Sequence, residues 1–236
     1  MLKLFVCLIL SIACFGADAS YFYNKGYIPV VNSGLNTVEL TYEDFDVVYS
    51  TKYKIPLWSA EFLNGNFVHD KRINSFHEET KLDTQFRSKL EDYKGSNYDK
   101  GHMSPYADMK TRNAEFESFT LANMIPQEGD CNRGKWAEME DYVRNISKTQ
   151  PIYVITGPII GNSSKFINKN VLVPVAMFKI VYLTKTNEAS AYVMQNDNTC
   201  SYKIVNINEV EKETGISFFE NINKDKVIDL PRLTKE

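Results

Sequence analysis

The stretch from Asp99 to Trp136 constrains this chain more than any other. It carries Asp99-Lys100-Gly101-His102-Met103-Ser104-Pro105, then Asn123-Met124-Ile125-Pro126-Gln127, then Asn132-Arg133-Gly134-Lys135-Trp136. A histidine beside a glycine, followed by neutral amide oxygens, combines a base for water with oxygen ligands for a hard metal ion. Hydrolysis of a phosphodiester is the chemistry such a set fits. Histidine occurs only at 69, 77 and 102, so the choice of base is narrow, and imidazole is the side chain whose ordinary pKa lies near neutrality. Gly101 singles out His102, because it has no Cβ to obstruct a substrate backbone or a metal. Asp99 can orient the imidazole through a ring nitrogen. His69 and His77 read as surface or structural residues.

Around this block the pattern alternates between strand and helix. Phe45 to Ser50 and Ile55 to Phe62 are β-prone runs separated by Thr51-Lys52-Tyr53-Lys54, which reads as a hairpin, with Pro56 placing the second strand at an edge or marking its start. Tyr153 to Thr156 is a β-branched run stopped by Gly157-Pro158, and Met177 to Thr184 and Ala191 to Gln195 are further strands. Lys135 to Ser147 repeats Trp136, Met139, Val143 and Ile146 at helical spacing, and Asn208 to Glu213 starts another helix. The expected fold is α+β, with a central, mainly antiparallel sheet and helices packed on it.

Asn132 falls on the same side of the helical pattern as the apolar residues, where a polar group needs a reason. One reason is an N-cap, a role that asparagine fills well. Glu140 and Arg144 stand four residues apart, the spacing of an ordinary surface ion pair.

These motifs resemble the DNA/RNA non-specific endonuclease family, which has a ββα-metal core. The family signature Asp-Arg-Gly-His is matched by Asp99-Lys100-Gly101-His102. The other landmarks follow in order: Pro56-Leu57-Trp58, Pro126-Gln127 with Asn132-x-Gly134-x-Trp136, Thr156-Gly157-Pro158, Val173-Pro174 and Thr214-Gly215-Ile216-Ser217-Phe218-Phe219. The resemblance implies a nuclease that cuts DNA and RNA with Mg²⁺, or Mn²⁺ in its place, and leaves 5′-phosphate ends. It implies His102 as general base and Asn132 as the single protein ligand of the metal. Glu140 would stand next to the metal's water shell, Arg144 near the scissile phosphate, and Asn123 would orient the site. It matches Arg72 to an upstream arginine that neutralises charge on phosphorus, with Lys71 as a competitor, and it makes Asp99, Lys100, Gly101 and Arg133 the substrate-facing set. A homodimer is also implied, as family members are often dimers.

Lys100 departs from the family arginine. On a strand it projects away from the histidine's side unless Gly101 bends the chain. That departure, with a net charge of only −3, motivates the alternative of a catalytically silent nucleic-acid-binding homologue. An enzyme needs to grip only a few phosphates locally, so the mild acidity weighs little against catalysis.

At the N-terminus, Lys3, the apolar run Leu4 to Ile12 and Ala17-Asp18-Ala19 fit a cleavable export signal. The run falls short of the roughly 20 residues of a spanning helix. Residues 1–19 are therefore expected to be a signal peptide and 20–236 a single endonuclease domain, secreted or periplasmic, with no membrane attachment after cleavage. Cys131 and Cys200 remain after cleavage, and the sequence leaves open whether they pair.

Overall fold

The computed structural model describes residues 29–31, 36–67 and 72–234; the expected signal peptide, His69 and Lys71 lie outside them. In chain order the strands are β1 (Val30–Val31), β2 (Thr37–Thr41), β3 (Phe45–Ser50), β4 (Ile55–Leu63), β5 (Tyr98–His102), β6 (Met124–Glu128), β7 (Ile152–Ile159), β8 (Lys165–Ile167), β9 (Val171–Val173), β10 (Ala176–Leu183), β11 (Glu188–Gln195), β12 (Tyr202–Val205) and β13 (Ile216–Ser217). The helices are α1 (Leu90–Tyr93), α2 (Arg112–Ser118), α3 (Ala137–Ser147) and α4 (Ile207–Thr214).

Seven strands form one antiparallel sheet in the order β12-β11-β10-β7-β4-β3-β2. Two-residue alternation gives the sheet two apolar faces. On one face Leu63, Val154 and Val181 pack with Met103, Met124, Trp136, Met139 and Val143, which seats the β5–β6 ribbon and α3. On the other, Ala60, Ile155 and Ile180 pack with Ile207, Val210, Phe218 and Phe219, which seats α4 and the chain after it. Complete burial of each large side chain such as Met139 or Val143 stabilises by about 1.5–3 kcal/mol relative to exposure. The fold is the expected α+β architecture, and the motif block covers one face of the sheet.

Several elements differ from the pattern-based expectation. β4 is an interior strand between β3 and β7, so Pro56 does not mark an edge. It sits near the strand's start, beside the irregularity at Val48/Tyr49 and before pairing with β7 begins at Ser59. β7 is not stopped by Gly157-Pro158; these residues pair with Phe178 and Met177 of β10. A Cβ on Gly157 would lie 2.5 Å from the Leu57 carbonyl oxygen and 2.7 Å from the Phe178 ring, so the glycine admits a close neighbour rather than ending the strand. α3 begins at Ala137, because Asn132–Trp136 forms a wider π turn with Gly134 at φ −105°, ψ −109°. α4 starts where the Asn206 side chain accepts from the Glu209 amide, and it ends at Gly215 with φ 68°.

Candidate active site

β5 and β6 pair with His102 opposite Met124 and Asp99 opposite Gln127. Alternation then puts Lys100 and His102 on one side of the ribbon and Asp99 and Gly101 on the other.

On the first side His102 is buried among three rings, with centroids at 4.9 Å for Phe119, 5.7 Å for Phe76 and 6.0 Å for Tyr106. Its Nε2 has no hydrogen-bond partner among the described residues. The Arg72 guanidinium lies over two of the same rings, 4.5 Å from the Tyr106 centroid and 5.3 Å from that of Phe119. Burial, and then the nearby Arg72 charge, lower the His102 pKa to about 3. The resting imidazole is therefore neutral, with a lone pair on one ring nitrogen. The Lys100 ammonium lies 4.8 Å from the Phe76 ring centroid. Lys100 shares the His102 side through ordinary alternation, with no bend at Gly101 required.

The low His102 pKa has a consequence for stability. The unfolded chain takes a proton near the ordinary value of 6.5, and the native chain takes it only near 3. The stability contribution is thus whole above 6.5 and is lost as pH falls toward 3. Relative to His102→Ala, the wild type is expected to lose about 1.4 kcal/mol per pH unit across that window. Urea titrations of both proteins check this, and parallel pH dependences would contradict it.

On the second side Asp99 does not meet the imidazole. Its Oδ2 accepts from Asn132 Nδ2 at 3.0 Å and from Arg133 Nη1 at 2.6 Å. The expectation that Asp99 orients His102 is corrected, since residues three apart on a strand face opposite ways. Gly101 is corrected as well: a Cβ there would lie 1.9 Å from Gln127 Oε1, so the space belongs to Gln127. Both amide atoms of Gln127 are buried without a hydrogen-bond partner among the described residues. A buried amide left unpaired costs about 1–3 kcal/mol per group.

Asn132 is not an N-cap. The turn Gly129–Cys131 is capped by Glu128, whose side chain accepts from the Cys131 amide, and Asn132 itself has helical φ −57°, ψ −45°. Its amide nitrogen goes to Asp99, and among the described residues its oxygen accepts no hydrogen bond. Cys131 and Cys200 form a disulfide that ties this turn to the segment after β11. Glu128 adds a third potential ligand atom to that pair, but the two sulfurs are bonded to each other and the carboxylate is the cap.

The remaining expected residues are placed as follows. Asn123 is fully buried; its oxygen accepts from the Ser104 amide, and its nitrogen donates to the Ser104 and Ser118 carbonyls. It holds the loop after His102. Arg144 and Glu140 do not form the surface pair that their spacing suggests. Arg144 is held by Asp108 and, at 2.9 Å, by Asp141. Burial pushes the Glu140 carboxyl up to about 7, with Lys179 opposing, Asp108 adding and Arg144 opposing. His77 stacks on Phe116 with centroids 4.6 Å apart, as a structural residue would.

Sequence reasoning missed a buried polar row beneath the ribbon. Lys179, 1% exposed, donates to Thr156 Oγ1 at 2.6 Å and to the Met103 carbonyl at 3.3 Å, and Ser59 and Ser104 share a hydrogen bond of 2.6 Å. A signal existed, since Lys179 in β10 and Glu61 in β4 are lone charges within apolar strands.

The model of the DNA/RNA non-specific endonuclease family matches residues 23–225. The chain belongs to this family. It is a nuclease, a phosphodiester hydrolase acting on nucleic acids, and the silent-homologue alternative gives way. Among its relatives, Nuclease C1 of Cunninghamella echinulata is 29% identical over 80% of this chain and 85% of its own length. The mitochondrial endonuclease G of Caenorhabditis elegans is 29% identical over 80% of this chain and 70% of its own. A crystal structure of an EndoG/EndoGI complex matches at a TM-score of 0.69 and 26% identity, covering 78% of this chain and 86% of that one. It supports the ββα-metal reading of the nuclease fold. Relatives including the endonuclease G are mitochondrial nucleases, which overturns the expectation of a secreted or periplasmic location. Among the described residues, no helix is long and apolar enough to cross a membrane.

Proposed function

We propose that the nuclease cuts DNA and RNA alike in a Mg²⁺-dependent reaction, with His102 as the base that activates water. The observation that carries this reading is the neutral, buried imidazole with an unpaired Nε2, set beside the Arg72 guanidinium. His102 Nε2 takes the proton of the attacking water. Arg72 forks onto the non-bridging phosphate oxygens, where negative charge accumulates, and Lys100 stands on the same side of the ribbon. None of these groups addresses a base edge or a sugar hydroxyl, so sequence and sugar matter little. In-line attack with departure of the 3′ oxygen leaves 5′-phosphate ends.

Asn132, whose amide oxygen accepts no hydrogen bond among the described residues, would hold a hard divalent cation, since Mg²⁺ takes neutral oxygen donors and keeps several waters. Such an ion, when bound, would supply positive charge to the phosphate and its leaving oxygen. Asn123 acts as a positioning residue through Ser104, and Arg144 through Asp108. Arg133 keeps Asp99 in place and, with a side chain 64% exposed, remains open to substrate. The reading of residues 20–236 as one catalytic domain is supported by the match over 23–225.

Asn132→Ala is expected to raise the Mg²⁺ concentration for half-maximal cleavage by about 10–100-fold, the scale of losses seen when a metal site is disturbed. Thermal stability without metal should change little, because Asn132 caps nothing. A metal titration superposable on that of the wild type would remove Asn132 from the site.

A further inference from the structure

The polar row under the ribbon contains one carboxyl without a hydrogen-bond partner among the described residues. Ser59 and Glu61 lie on the same face of β4; Thr156 is opposite Ser59 on β7, and Lys179 is opposite Thr156 on β10. Ser59 is bonded to Ser104, and Thr156 to Lys179. Glu61 is 2% exposed, and neither of its oxygens has a hydrogen-bond partner among the described residues. The charges that face it are Lys179 of β10, Asp108 from the turn after Pro105, and Glu140 and Arg144 of α3. Asp141 lies beyond, on Arg144.

Three inward carboxyls thus share two cations, and both cations are already committed. Arg144 serves Asp108 and Asp141, and the Lys179 ammonium serves the Met103 carbonyl and Thr156. An ionised carboxylate in an interior without a donor is among the least tolerable of buried groups, and a proton relieves it. Asp108 has a guanidinium, whereas neither oxygen of Glu61 has a donor among the described residues, so Glu61 is the carboxyl of the row that most needs a proton.

We propose that Glu61 is a positioning residue for the hydrolysis, a carboxylic acid that keeps its proton while the enzyme works, so that Lys179 stays on the Met103 carbonyl and Arg144 on Asp108. This rests on the nuclease mechanism proposed above. Burial pushes the Glu61 carboxyl well above its ordinary range; Asp108 and Glu140 add to the push, and Lys179 and Arg144 oppose it. Once Glu61 loses its proton, its charge competes with the carbonyl of Met103, the residue after His102, for the Lys179 ammonium.

The test uses the full-length enzyme labelled with ¹³C at the glutamate carboxyls, together with Glu61→Gln, which keeps the shape and removes the ionisation. In the wild type, at pH well above the ordinary glutamate range, a glutamate resonance at the protonated position is expected that disappears in E61Q. Beyond the Glu61 midpoint, wild-type kcat/KM falls about tenfold per pH unit, as one ionisation requires, while E61Q holds its plateau through the same range. A wild-type spectrum with every glutamate ionised overturns the proposal, even if E61Q fails to fold. Superposable alkaline limbs overturn it too. The spectrum reads Glu61 whether or not the mechanism above holds, so the two can fail separately.

Discussion

His102→Ala is expected to lower kcat by about 10²–10⁴, the worth of a positioned general base, with little change in KM. The reason is local. Under the proposed mechanism Nε2, unpartnered among the rings of Phe76, Tyr106 and Phe119, takes the water proton, and the nucleophile without it is neutral water. Arg72 lies over Tyr106 independently of the imidazole, so the expected loss is in chemistry rather than in binding. Circular dichroism confirms that the loss is not unfolding. A folded His102→Ala enzyme within about threefold of wild-type kcat would end the assignment, because no general base is worth so little.

Arg144→Met is expected to destabilise the protein by about 3–5 kcal/mol, the usual cost of breaking a buried ion pair from one side. Asp108 has a side chain 3% exposed and Arg144 one 13% exposed, so water cannot replace the lost guanidinium. Burial already raises the Asp108 pKa, and Arg144 is its largest opposing influence. The deficit should therefore shrink as pH falls and Asp108 accepts a proton. Adding Asp108→Asn to Arg144→Met should recover part of the loss, because the stranded charge is gone. Urea unfolding of the two single variants and the double variant measures this. A loss below about 1 kcal/mol would place the pair with exposed bridges that contribute little.

The two predictions draw on parts of the site that were unequally legible in the sequence. His102 was readable because histidine is rare here and its neighbours are distinctive. α3 was readable from Trp136, Met139 and Val143, and the β3–β4 hairpin from its β-prone runs. The β5–β6 ribbon was not, because Asp99-Lys100-Gly101-His102 has no apolar alternation to announce a strand. That gap caused the error over Asp99, whereas the wrong side for Lys100 came from miscounting the alternation, since residues two apart on a strand share a face. The π turn at Asn132–Trp136 follows no residue rule, and the N-cap alternative for Asn132 fell with it. Pairing of Cys131 with Cys200 depends on β6 and β11 lying together, which no spacing conveys. Glu61 and Lys179 were visible as charges inside apolar strands, but their meaning came from Arg144 and Asp108, far away in sequence.

The most direct test of the account is cleavage of supercoiled plasmid and of structured RNA by the wild-type enzyme, with Mg²⁺, with EDTA, and with Mg²⁺ restored after EDTA. The account predicts that both nucleic acids are cut with Mg²⁺, that neither is cut in EDTA, that cutting returns with the metal, and that every product carries a 5′-phosphate. Cleavage that persists in EDTA, or that is confined to one of the two sugars, would contradict it.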